Sequence, residues 1–431
     1  LPQSGLTFSE ATEAARESGL PDLFARAANG VSWGSWETFD SRDTPISLLI
    51  EALEMLPPGD SALRAETMAN LSHLKFFGGD PDGDAAGMGA EAIAMADRLD
   101  DETFLRVAVS LHYYLLQSTS PEYRIEAADR AVRIAEDSAD REDLGEALAL
   151  RTVMLTNAGR GAEAAADIAR HGALSATLPQ IRNTSHSLRA ARCFLEGRWA
   201  EGEMITRDCL EGGHVTASAR IAMLDAMHYM DYAHRGRLGE VTEMIEVEAD
   251  VARAWGVWPA WETGLALSYL QRGDRGRADR QLETIEFDRL ASIDRMELLR
   301  PVFCGVAAML LVETGDAERA RVLTDLMDGM DDLWTIFGPG APTFGPRSLL
   351  RGEMYLVQGR DREAATALEN AIVTCEEMSA RPFLARARLA LAEALRRTGH
   401  PDGPERSEAL RGQGLALARD LEMAPLLARY E

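Results

Sequence analysis

Few residues in this chain have the type and spacing that chemistry requires. Gly30-Val31-Ser32-Trp33-Gly34 spells G-x-S-x-G, the frame that holds a nucleophilic serine on a strained strand-to-helix turn. The residues before it, Leu23-Phe24-Ala25-Arg26-Ala27-Ala28, have a helical pattern, so a glycine-rich loop is expected there and not a hydrolase elbow. Asp80, Asp82, Asp84 and Glu91 fall at the oxygen-ligand spacing of a calcium-binding helix–loop–helix. Ala85 stands where that loop needs glycine, Pro81 stiffens it, and Gly87 replaces its apolar anchor, which favours a solvated acidic turn. Gly87-Met88-Gly89 follows no strand and is no dinucleotide fingerprint. The eight histidines (73, 112, 171, 186, 214, 228, 234 and 400) contain no i, i+4 pair, and Asp225 with His228 reads as a structural hydrogen-bonded pair. Cys193, Cys209, Cys304 and Cys375 form no C-x-x-C pair and read as buried small hydrophobes in a reducing cytoplasm. Arg272, Arg275, Arg277 and Arg280 balance local carboxylates. No catalytic residue, metal site or cofactor is therefore expected.

The elements that carry these residues are helices. Of 431 residues, 46% are hydrophobic and 27% charged, the balance of a globular soluble chain. The longest uncharged apolar run, 301–312, is too short for a membrane span of about 20 residues. The net charge of −25 disfavours direct nucleic-acid binding. Residues 1–100 carry 17 acids against 6 bases and residues 331–431 carry 15 against 13, so a basic partner would favour the first part. The only lysine, Lys75, lies between Leu74 and Phe76, and no phosphate-cradling Gly-Lys-Ser/Thr is present. The chain opens on Leu1, as a domain excised from a longer protein would.

Apolar residues recur at i, i+3, i+4 and i+7, and glycines punctuate them. Gly159, Gly197, Gly236, Gly273, Gly315, Gly359 and Gly399 each end an apolar helix before a short polar turn, at intervals of 37 to 44 residues. A small residue follows about five positions later, at Ala164, Gly202, Ala278, Ala320 and Ala364. The unit holding Gly352, Tyr355, Gly359, Ala364, Leu368 and Ala371 has the tetratricopeptide pattern. The expected fold is all-α, a single tetratricopeptide-like α-solenoid over 1–431 with roughly nine or ten helical pairs. Its repeats are irregular over 8–140 and clearer over 141–430. Breaks are expected at 30–45, 78–84 and 328–346, the last too rich in glycine and proline for a regular helix.

The stretch from Phe344 through Gly399, continuing to Gly414–Tyr430, resembles the C-terminal helical-repeat region of large bacterial ATP-dependent regulators. These are the LuxR-type large ATP-binding regulators and related AAA-type signalling ATPases. The carriers are Phe-Gly-Pro before a helix, Met378-Ser379-Ala380-Arg381-Pro382 before the next, and Ala418-Arg419-Asp420-Leu421-Glu422-Met423 near the end. The resemblance is sharpest over 337–430. It implies a non-catalytic sensor or protein-interaction region of a cytoplasmic transcriptional regulator. The family's nucleotide-binding switch and DNA-binding domains have no counterpart in this sequence.

In such an array the first helices of the pairs line a concave face. Counting back from the glycines places there Phe194 and Leu195; Met223, Met230, Ala233 and His234; Leu267 and Gln271; Gly305, Met309, Val312 and Glu313; and Leu349, Glu353, Leu356 and Val357. The face reads as apolar and poor in bases, which argues against a clamp for an acidic tail. Four covers are open: tight winding of the superhelix, the 328–346 insert, another protomer in a homo-oligomer, or a ligand. Trp255, Trp258 and Trp261 cluster around Pro259. The residues expected to receive a protein partner or an apolar small-molecule effector are Phe194, Met223, Met230, Trp258, Trp261, Leu267, Met309, Trp334 and Phe344. A stand-alone scaffold or small-molecule-binding protein is the alternative, and a helical-repeat enzyme a third.

Overall fold

The computed structural model describes residues 2–38, 43–78, 83–211, 226–254, 259–287, 300–328, 330, 333–336, 343–398 and 403–431. The fold is all-α, a tetratricopeptide-like solenoid. It divides into two compact units. Unit one comprises Leu1–Met154, Asp167–Ser185 and Cys209–Ala222; unit two comprises Leu155–Ala166, His186–Asp208 and Met223–Glu431. Among the described residues no helix is long and apolar enough to cross a membrane.

Unit one contains α1 (Pro2–Glu17), α2 (Pro21–Thr38), α3 (Asp43–Met55), α4 (Ala62–Gly78), α5 (Ala85–Arg98), α6 (Asp101–Ser110), α7 (His112–Ser118) and α8 (Pro121–Ser138). It also holds most of α9 (Arg141–Asn157) and α10 (Gly161–Ser175). Phe24, Leu49, Leu71 and Leu74 centre a core at its start. Asp100 and Ser120 cap α6 and α8 by accepting from the amides of Thr103 and Tyr123, and Pro121 occupies the first turn where no donor is needed. The helical run after Asp100 is interrupted at Leu111, which separates α6 from α7. A difference from expectation falls at the G-x-S-x-G stretch. The loop expected from Gly30 does not form, because α2 stays helical to Thr38. A glycine in a helix costs only about 1 kcal/mol, and a Cβ at Gly30 would strike the Phe8 ring. Ser32 is buried on a helix, with no strained turn to expose it.

The helices centred in unit two are α11 (Arg182–Glu196), α12 (Trp199–Glu211), α13 (Ala226–Arg235), α14 (Thr242–Ala254), α15 (Pro259–Gln271), α16 (Arg275–Glu283), α17 (Arg300–Thr314), α18 (Ala317–Leu326), α19 (Arg347–Val357), α20 (Asp361–Glu377), α21 (Arg381–Thr398), α22 (Gly403–Asp420) and α23 (Ala424–Tyr430). The turn chemistry explains the repeat. Gly159, Gly197, Gly236, Gly273, Gly315 and Gly359 all have φ between 71° and 85°, and Gly399 lies outside the described residues. After four of them the next residue is arginine. Its amide reaches back to close the helix, as Arg160 to Leu155 O at 2.9 Å and Arg360 to Tyr355 O at 2.8 Å. Its side chain pairs with a glutamate three residues on: Arg160–Glu163, Arg198–Glu201, Arg237–Glu240 and Arg360–Glu363. After the other two an aspartate caps the second helix, Asp274 on Arg277 N and Asp316 on Arg319 N, each at 3.0 Å.

One continuous core fills unit two, with Phe303, Leu310, Met354 and Phe383 among its buried side chains. Gly352 lets α19 and α20 approach, since a Cβ there would lie 2.5 Å from Leu368. The insert is not wholly irregular. Trp334–Ile336 and Thr343–Pro346 form a two-stranded antiparallel ribbon, irregular between Thr335 and Ile336. Trp334, 1% exposed, donates its indole N–H to Thr374 Oγ1 at 2.9 Å, and its carbonyl accepts from Asn157 Nδ2 at 2.8 Å.

Candidate functional site

Unit two contains a cavity of about 290 Å³. Successive first helices supply its wall: Ala233 and His234 from α13, Leu267 and Gln271 from α15, Met309, Val312 and Glu313 from α17, Glu353, Leu356 and Val357 from α19. These are groove positions by the glycine count. The next repeat continues the register, and counting back from Gly399 reaches Arg386, Glu393 and Arg397 of α21, which also line the cavity. The face is therefore not poor in bases, as the five earlier repeats alone suggest. Met423, Pro425, Leu426, Arg429 and Tyr430 also line it.

The polar groups are mostly matched to one another. Arg386 donates from Nε and Nη2 to the two carboxylate oxygens of Glu353, at 3.0 and 2.6 Å, and both residues are 5% exposed. A buried charge pair survives only with such geometry. Arg397 donates to Glu393 at 2.6 Å and to Leu356 O at 3.2 Å. Arg429 pairs with Glu313 at 3.0 Å and donates to Val312 O at 2.9 Å. The Gln271 amide ties α15 to α13, donating to Ala233 O and accepting from Leu238 N. Two buried nitrogens have no hydrogen-bond partner among the described residues: Arg386 Nη1 and His234 Nε2. Burial, helped by the Arg386 charge, depresses the His234 pKa well below its ordinary value and keeps the ring neutral. Burial pushes the Tyr430 phenol up to about 12.

No family model and no curated protein matches the chain. Among solved structures, a chain of the crystal structure of the APC/C hetero-tetramer Cut9-Hcn1 aligns over 98% of this chain and 87% of its own, at 11% identity and a TM-score of 0.33. A likeness at that score carries no argument, and the tetratricopeptide-like reading stands on the repeats themselves.

Of the nine residues nominated from sequence, Leu267 and Met309 line the cavity. Leu267 also belongs to the core, whereas Met309 is half-buried at its edge. Phe194, Met230, Trp334 and Phe344 are buried and absent from the lining. Phe194 packs against the Trp199 ring and over Gly202, where a Cβ would meet it at 2.9 Å. Trp334 and Phe344 belong to the ribbon, and Phe344 covers Gly305, a groove position where a Cβ would overlap it. The insert thus covers the groove register at Gly305. Trp261 is half-buried against the core. Met223 and Trp258 lie outside the described residues, as do Trp255, Asp225, His214 and His400.

The remaining chemical candidates are placed as follows. His228 Nε2 lies 2.9 Å from Thr206 Oγ1. Asp84 pairs with Lys75 and Glu91 with Arg98, while Asp80 and Asp82 are outside the described residues. Among the described residues no group of His, Cys, Asp or Glu is placed to hold a metal ion. All four cysteines are buried free thiols, and burial raises Cys193 to about 11 and Cys304 to about 12. Thiols held that high stay protonated at neutral pH and are poor nucleophiles.

Proposed function

We propose that unit two is a non-catalytic interaction module whose concave face receives a protein partner. The supporting observation is the cavity: consecutive repeats place their groove positions around one space that joins an apolar wall to a buried Glu353–Arg386 pair. Apolar area supplies affinity there and a few fixed polar groups supply orientation. The motifs shared with large ATP-dependent regulators support a finer reading, the sensory region of a cytoplasmic transcriptional regulator. The buried, unpaired thiols agree with a reducing compartment. The cavity volume favours a second reading, a small apolar effector as occupant.

The test is photo-crosslinking in the native host with benzoyl-phenylalanine at Met309, on the cavity, and at Val373, exposed on α20. A discrete crosslinked protein at Met309 and none at Val373 is expected. Crosslinks confined to Val373 would move the interaction off the concave face.

A further inference from the structure

One wall of the cavity is made by the last helix of the sequence, and its two parts are held differently. The turn before it is an anchor. Leu421 and Met423 are buried, and Glu422 between them is left-handed with φ 54°. The Trp199 indole N–H donates to Leu421 O at 3.0 Å, and the Leu421 side chain sits over Gly197. Beyond the anchor none of the residues of α23 is fully buried. Pro425, Leu426, Arg429 and Tyr430 turn one face to the cavity, the i, i+3, i+4 stripe of a short helix. Arg429 holds that face down through Glu313 and Val312 O, and Arg411 donates to Tyr430 O at 2.6 Å. The cavity that α23 shares with α13, α15, α17, α19 and α21 is left unfilled by it.

We propose that α23 is a resident stand-in, and that the concave face of unit two docks a short amphipathic helix from another protein. The partner presents an apolar residue, an arginine three positions later and an aromatic at the fourth. It displaces α23, which swings about the 421–423 turn. The chemistry is read from the seated segment: Leu426 meets the apolar wall and Arg429 meets the Glu313 carboxylate at 3.0 Å. A short helix whose apolar side chains reach into the unfilled cavity excludes more water than α23 does. This proposal rests on the concave face being an interaction surface.

The experiment uses the full chain and two fluorescein-labelled peptides, one copied from residues 421–431 and one in which the Arg429 counterpart is glutamate. R429E sets two carboxylates together and releases α23; E313R sets two cations together with the same effect. Fluorescence anisotropy should show the R429E chain binding the arginine peptide about tenfold more tightly than wild type does. The E313R chain should bind the glutamate peptide and reject the arginine one. Circular dichroism of both variants should match wild type, and because the two variants are independent, misfolding of one leaves the other as the test. Binding that ignores the charge exchange, or no binding to either released chain, overturns the proposal. Released chains that pair into dimers without taking peptide also overturn it, in favour of a second copy as occupant. If the peptides fail while Met309 still crosslinks a protein, only helix docking falls; if Met309 crosslinks nothing, the underlying reading falls as well.

Discussion

Glu353 and Arg386 set the electrostatics of the groove at the residue scale. Each is enclosed by the core of unit two, and each balances the other through two hydrogen bonds. Replacing Glu353 with Gln leaves a buried guanidinium without its counter-charge, so chemical denaturation should show a loss of about 3–5 kcal/mol. The double variant E353L/R386M removes both charges and should recover most of that loss. Equal losses in the single and double variants would mean that shape, not charge, holds the pair. Glu353 is legible in the sequence because it falls on the groove register set by Gly359. Arg386 is harder to find, since Ala385, Ala387 and Leu389 surround it with the pattern of an ordinary apolar stripe. Its register is set by Gly399, and extending the count to that glycine finds it. Phe194 and Met230 fall on the same register but are buried and do not line the cavity. The register gives them the right helix face, but neighbouring repeats close over them, and a single-chain pattern does not reveal how deeply one helix is overlaid by the next.

Turns explain why the helices could be read so directly. A left-handed glycine ends one helix, and an arginine or aspartate beside it satisfies the free groups of the two ends. Two of these glycines separate backbone cost from packing cost. A Cβ at Gly359 meets nothing within 4 Å, so G359A should cost about 1–2 kcal/mol for the left-handed backbone alone. At Gly197 the same Cβ would lie 2.5 Å from Leu421, so G197A should lose that amount plus about 1–3 kcal/mol of overpacking. Urea denaturation of the two variants checks the difference, and equal midpoints would contradict the close approach. The ribbon was less legible. Glycine and proline in the insert exclude a helix, but they give no sign that Trp334–Ile336 and Thr343–Pro346 pair. That pairing depends on a bed for Trp334 supplied by Asn157 and Thr374, far away in sequence.

At the scale of the chain, the period of the glycines carries the fold class, because each repeat is built mainly from neighbouring residues. The closure of unit two on itself is not written in that period. It rests on contacts between residues separated by 177 and 222 positions, Asn157 with Trp334 and Trp199 with Leu421. Of the four covers open from sequence, the insert takes part of the groove as the ribbon; the last helix, a fifth cover that the sequence reading does not include, takes another part, and none of its residues is fully buried. The same asymmetry makes a distance measurement decisive. Ala428 and Val373 are both exposed, and the native thiols are buried, so cysteines introduced at these two positions accept spin labels selectively. Pulsed electron–electron distance measurement on the full chain should give one narrow distribution in the wild-type background, with α23 seated. In the E313R background the distribution should broaden and shift as α23 leaves the groove. An unchanged narrow distribution in E313R would show that the Arg429–Glu313 contact does not seat the helix, and would contradict the account of α23 as a displaceable occupant.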